Sequence, residues 1–241
     1  MQTYFESELT KLRKRIAKMM NLTTGQIDKS FQVLLSGNPE IIKQIKFDEN
    51  KVDKLDIKID KLCQRIFALA QPVAGDLRFI MASLRIGTEM ERISDMAYEI
   101  TERSESVSQY PEILSRYEIP GLLDQIRKLF TLLNEAFSNN NSMLAYEIIG
   151  RCKEREEDCK SIFRDIVTQM TKKSNVIVIA TDLILIIRNL ERIIGHTENI
   201  AESVIFIADA KIVRHPRLNA GKEKAEKEII EDEERESDPV E

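Results

Sequence analysis

Between residues 4 and 35, apolar side chains recur every three or four positions: Phe5, Leu9, Leu12, Ile16, Met19 or Met20, Thr23, Ile27, Phe31 and Leu34. That spacing lines one face of an α-helix. Ser36-Gly37-Asn38-Pro39 then carries the signals for a stop and a restart: a glycine to end one helix, an asparagine to cap the next, and a proline for its first position. A second helix is expected over 39–70, closed by the Gln71-Pro72 step. A third should run from about Asp76 to Val107, followed by a linker over 108–121 that holds Pro111, Pro120 and Gly121. The pattern then repeats, with helices expected over 121–138, 142–172 and 176–210. Asn139-Asn140-Asn141-Ser142 forms the first of the later turns, and residues 172–175 form the second.

Three helices, a linker and three more helices predict an all-α protein of two tandem antiparallel three-helix bundles, because short connections make neighbours antiparallel. The expected domains are 1–110 and 111–218. Residues 219–241 hold ten acids and four bases around a single apolar pair, so they are expected to form an acidic, disordered tail.

Composition removes several alternatives. Eight glycines and six prolines in 241 residues are too few for a hairpin-rich β fold. A hydrophobic share of 42% excludes a wholly disordered chain. The longest apolar stretch, Val176 to Ile187, contains Asp182 and reads as a buried helix segment rather than a membrane span. The first fifteen residues lack an apolar core and a small-residue cleavage site, so no secretory signal is expected and the cytoplasm is the expected compartment. The net charge of −5 lies mostly in the tail. No basic face of the kind that binds nucleic acid emerges. Cys63, Cys152 and Cys159 form neither a CxxC pair nor an even set, and read as buried free thiols.

An internal repeat directs attention to the carboxylates. At an offset of 100, MERISDMAYEITE (90–102) and LERIIGHTENIAE (190–202) share five of thirteen residues. At an offset of 105, Glu49 and Asp53 fall on Glu154 and Asp158. Glu49/Asp53, Glu91/Asp95 and Glu154/Asp158 are each ExxxD, which sets two like charges one turn apart, a spacing that costs an isolated helix roughly 0.2–0.5 kcal/mol. A cation bridging two such helices would offset that cost, since hard cations take oxygen ligands. Asp56/Asp60 adds a further pair. The competing reading is a solvated charged face, because with 41 acids about seven such pairs arise by chance. His196 and His215 lie in no ExxH motif, which counts against a ferritin-like di-iron enzyme. There is no glycine-rich phosphate loop and no nucleophile–histidine grouping.

QPVAGDLR (71–78), MERISDMAYEI (90–100), RNLERIIGHTENIAESVIFI (188–207) and the VRH at 213–215 resemble signature segments of the phosphate-uptake regulator family, PhoU. The resemblance spans about residues 5–217. It implies paired three-helix bundles carrying metal ions on ExxxD carboxylates, and a regulatory role without catalysis. Such proteins act between the ATPase subunit of the phosphate ABC transporter and the phosphate-sensing histidine kinase. They repress the starvation response when phosphate is plentiful and meet the membrane only through partners; the oligomeric state is left open, a homodimer being one possible form. Carried over by position, the metal ligands would be Glu49, Asp53, Glu91, Asp95, Glu154, Asp158 and Glu191. The metal would be divalent or trivalent: iron, zinc, manganese or magnesium. Gly195 stands where the family signature carries aspartate, and Met96 where it carries histidine. The second site is therefore expected to be the weaker, with His196, Asn199 and Glu202 as substitute ligands. The alternative from another class is a metal-storing or metal-dependent helical-bundle enzyme.

Overall fold

The computed structural model describes residues 2–172 and 176–213, with side chains from Tyr4 onward. The expected tail (219–241), most of the 172–175 break, and His215 lie outside the described residues. Within them there are seven helices and no strand: α1 (Gln2–Ser36), α2 (Pro39–Leu69), α3 (Ala74–Val107), α4 (Pro111–Arg116), α5 (Ile119–Asn139), α6 (Ser142–Lys172) and α7 (Ile177–Asp209). No helix among the described residues is long and apolar enough to cross a membrane.

The α1–α2 turn forms as its sequence requires. Gly37 adopts φ +68°, a left-handed conformation in which a Cβ would lie 2.8 Å from Ser108 Oγ. The Asn38 side chain accepts a hydrogen bond from the Glu40 amide at 3.0 Å, and Pro39 opens α2. At the matching turn in the second half, Asn140 takes the left-handed cap with φ 47°. Asn141 Oδ1 accepts from the Leu144 amide at 3.1 Å. The linker differs from expectation, since it is not a simple loop. Pro111 nucleates the short helix α4, which Leu114 anchors in the core, and α5 starts at Ile119, two residues early, with Pro120 in its first turn. Glu118, at φ 53°, makes the corner between α4 and α5.

Met1–Ala210 form one compact unit. The predicted stripe of α1 supplies much of its centre, with Leu12, Ile16, Met19, Met20, Ile27, Phe31 and Leu34 all at 1% exposure or less. Each such side chain contributes about 1.5–3 kcal/mol by leaving water. Contacts fix the directions of the helices. Gln26 Nε2 donates to the Ile45 carbonyl at 3.3 Å and Lys29 binds Asp48 at 2.5 Å, while Arg15 reaches the Lys58 carbonyl, so α1 and α2 run antiparallel. Ser94 Oγ donates to Gln26 Oε1 at 2.7 Å, so one buried amide ties α1, α2 and α3 together with both its ends satisfied.

The two halves meet along α3 and α7 and along α1 and α5. Asn134 donates to Thr24 at 3.1 Å, and Arg127 pairs with Asp28 at 3.2 Å and stacks on Phe31. Across α3 and α7, Asn199 Nδ2 donates to Glu89 at 3.2 Å, Asn189 Nδ2 donates to Glu99 at 3.0 Å, and Ser106 donates to Asp182 at 2.6 Å. Rising numbers on one helix meet falling numbers on the other, so this seam is antiparallel.

Candidate metal centre

The register between the halves decides which carboxylates are equivalent. Ser36 and Asn139, Pro39 and Ser142, and Leu69 and Lys172 are each 103 apart, so α5 and α6 match α1 and α2 at that spacing. For α1 and α5 burial agrees: Ile16, Met19, Met20, Ile27 and Leu34 fall on Ile119, Leu122, Leu123, Phe130 and Phe137, all buried. Helices α3 and α7 keep the spacing of 100 seen in their sequences. In that register α7 begins three residues later than α3.

On the first half, α2 and α3 present Glu49, Asp53, Asp56, Glu91 and Asp95 to one another, all half-buried. Burial raises Glu49 above the ordinary carboxylate range, and Asp95 and Asp53 add to it. Burial likewise raises Glu91, with Asp95, Asp56 and Asp53 contributing, and raises Asp95, with Asp53 and Glu99 contributing. Burial and then Asp60 raise Asp56. These are the marks of like charges gathered where water is scarce. Asp56 Oδ1 is enclosed without a hydrogen-bond partner. It sits in space left by Gly87, where a Cβ would come within 3.0 Å of it. Asp48, on the side of α2 that faces α1, shows the contrast: Lys29, Lys51 and Gln44 all bind it, and they outweigh its burial to hold it below the usual range.

The second half is arranged differently. Glu154 and Asp158 stand on an exposed side of α6, where Arg155 holds both, Asp158 at 2.6 Å and Glu154 at 3.4 Å. Asp158 lines a cleft between α4, α5 and α6 with Arg116, Gln125 and Asp165. The offset of 105 differs by two residues from the helix-end spacing of 103, about 200° around the helix, and so lands on the exposed side of α6. The acid that faces α7 is Glu156, raised by burial with Glu191 adding, while Lys160 and Lys153 oppose. A Cβ on Gly195 would lie 3.8 Å from Glu156 Oε1. Glu191 pairs with Arg188 at 2.6 Å. His196 Nδ1 and Asn199 both donate to Glu89 on α3, at 2.5 and 3.2 Å, so these two bind across the seam rather than beside Glu191. Glu202 lies near Glu198, which burial raises first, with Glu156 and Glu202 adding. The signal that would have found Glu156 was its place between Cys152 and Cys159, on the buried face of α6.

Among the described residues, no three His, Cys, Asp or Glu side chains are disposed to hold an ion as they stand. The donor set of the first half nevertheless suits a hard cation. It consists of oxygen ligands only, mutually repelling, with one enclosed carboxylate oxygen lacking a partner and a glycine that makes room for it.

A family model for the PhoU domain matches residues 16–104 and again 119–204. The first residues of the two matches are 103 apart and the last are 100 apart, the same registers that the helices show. The phosphate-specific transport system accessory protein PhoU homolog of Pseudomonas aeruginosa is 29% identical over 223 residues, 92% of each chain. That of Aquifex aeolicus is 29% identical over 219 residues, 91% of this chain and 98% of its own. The crystal structure of PhoU from Pseudomonas aeruginosa superposes with a TM-score of 0.81 at 27% identity, covering 86% of this chain and all of that one. The regulatory protein PhoU from Streptococcus pneumoniae shares the fold, with a TM-score of 0.77 at 21% identity over 87% of this chain and 99% of that one. With the domain matched twice over most of its length, this chain belongs to the PhoU family.

Proposed function

We propose that this protein is a cytoplasmic, non-catalytic regulator of phosphate uptake. In this reading it links the ATPase subunit of a phosphate ABC transporter to a phosphate-sensing histidine kinase, and it holds the starvation response off when phosphate is plentiful. The observation that carries the reading is end-to-end similarity to proteins named as accessory to phosphate-specific transport, over about nine-tenths of both chains. A surface built from long helices, with no nucleophile–base pair in its sequence motifs, suits a binding role.

The same reading assigns a metal to the first half. Glu49, Asp53, Asp56, Glu91 and Asp95 would hold it, and its chemistry would be neutralisation of their charge rather than Lewis-acid activation. The five carboxylates would turn toward it from two helices, fixing the spacing of α2 and α3. Asp56, with Gly87 behind it, would bring the most enclosed oxygen. Coupling between transporter and kinase requires each partner's state to change affinity for the other by the same factor.

The test is genetic and biochemical together. Deleting the gene should turn on a starvation-promoter reporter in phosphate-rich medium, and the tagged protein should retain the transporter ATPase. A reporter that stays silent, with no ATPase retained, would remove the proposal. Elemental analysis of protein purified without a metal-affinity tag, with melts in the presence and absence of chelator, tests the metal separately. A metal-free chain whose melting ignores both chelator and added Mn²⁺ would remove that part alone.

A further inference from the structure

The halves of this chain differ at the positions where the first gathers its carboxylates. In the registers of 103 and 100, Glu49, Asp53, Asp56, Glu91 and Asp95 correspond to Cys152, Glu156, Cys159, Glu191 and Gly195. The facing residues agree with this match. Glu91 neighbours Asp53 and Asp56, and Glu191 neighbours Glu156 and Cys159. Asp95 neighbours Glu49 and Asp53, and Gly195 lies against Glu156.

We infer that this chain binds hard cations on the α2–α3 face alone, and that on the α6–α7 face two buried thiols and a glycine have replaced three of the five ligands. The inference rests on the metal reading above and refines it.

Hard cations take oxygen donors, so the replacements change the chemistry and not only the count. Cys152 and Cys159 are both at 0% exposure and pack as small apolar side chains. Seven residues on one helix set them about 10 Å apart along its axis, too far for one ion to take both sulfurs. The oxygen donors that remain are Glu156 and Glu191. Arg188 already binds Glu191, while Lys153 and Lys160 stand near Glu156. The second face thus carries its cations covalently, as arginine and lysine.

The test is Mn²⁺ titration of the full-length chain after chelator treatment, with free Mn²⁺ followed by electron paramagnetic resonance. Asp53→Asn/Glu91→Gln should weaken binding about tenfold or more, whereas Glu156→Gln/Glu191→Gln should leave it unchanged. Cys152→Glu/Cys159→Asp/Gly195→Asp should add Mn²⁺ beyond the unaltered chain. Gly195→Asp alone tests the same point with an intact core, because its Cβ meets nothing closer than 3.8 Å, and it should add a weaker site. Loss of Mn²⁺ on removing Glu156 and Glu191 would overturn the inference and leave the metal reading in place. So would a Zn²⁺ equivalent that disappears with Cys152→Ser. Failure of Mn²⁺ to bind the unaltered chain and every variant would overturn both together.

Discussion

Glu8 shows how much a single residue is asked to do in so charged a chain. It is 3% exposed, and its carboxylate is bound by Lys11 at 2.7 Å and by Arg65 from α2. The hydrogen bond from Lys11, joined by the charge of Arg65, holds it below the ordinary value of 4.5 despite burial. Because its folded pKa is depressed, its contribution is fully present above the unfolded value and is lost as pH falls through the folded one. Both cationic partners are half-exposed, which discounts the pair. Glu8→Gln should therefore cost about 1–2 kcal/mol in urea unfolding at pH 7, and the gap from the unaltered protein should close below pH 4.5. A gap of constant size down to pH 3 would show that the charge of Glu8 is not what stabilises. Glu49, Asp56, Glu91 and Asp95 of the candidate centre behave in the opposite sense: they are raised, and each is destabilising to the bare fold in its ionised form.

At the level of helices, the α3–α7 seam carries its polar contacts in a reciprocal pattern. With the register of 100, Glu89 corresponds to Asn189 and Glu99 to Asn199, so Glu89–Asn199 and Glu99–Asn189 are the same contact made twice. Each contact joins one carboxylate to one amide. Burial works against ionisation of Glu89, but the bonds from His196 and Asn199 outweigh it. Asn189→Asp would set two carboxylates against each other at a buried position and should cost about 1–3 kcal/mol. Adding Glu99→Gln should return most of the loss, a coupling above about 0.5 kcal/mol in a double-mutant cycle. Simple additivity would show that the two residues do not recognise each other. Much at this scale was legible beforehand. The Gly37–Asn38–Pro39 turn and the α1 stripe follow from backbone chemistry and a strong 3.6-residue period. Helix α4 was not legible, because six residues between two proline signals read as a loop until Leu114 finds a core to enter. The second-half carboxylates face otherwise than the repeat in charge suggests, for a related reason. Shared charge aligns α2 with α6 at 105, yet on exposed helix faces acids recur by chance, whereas the helix ends and the residues that face α3 and α7 set the register.

For the molecule as a whole, the consequence is that two similar halves do not make two independent units. Helices α3 and α7 bury apolar side chains on each other, and α1 is tied to α5 through Asn134, Thr24, Arg127 and Asp28. Residues 1–210 should unfold in one cooperative transition. Coincident urea curves from circular dichroism and from a fluorophore placed on either half would bear this out. Two separated transitions would show that the seam is weaker than either bundle. The halves are not equally built, since α5 has 21 residues against 35 in α1. The cleft lined by Arg116, Gln125 and Asp165 opens beside the end where α5 falls short.

The reciprocal seam also bears on the history of the chain. In a dimer of identical copies, every substitution strikes both ends of a two-fold interface, so a Glu–Asn contact can be made only by a residue pair that is already unlike. Once two copies share one gene, each end mutates on its own. Glu89 and Asn189, or Asp95 and Gly195, can then part company without a matching change elsewhere. Fusion into one chain frees the two halves from that symmetry, so the carboxylates gathered on one face need no counterpart on the other.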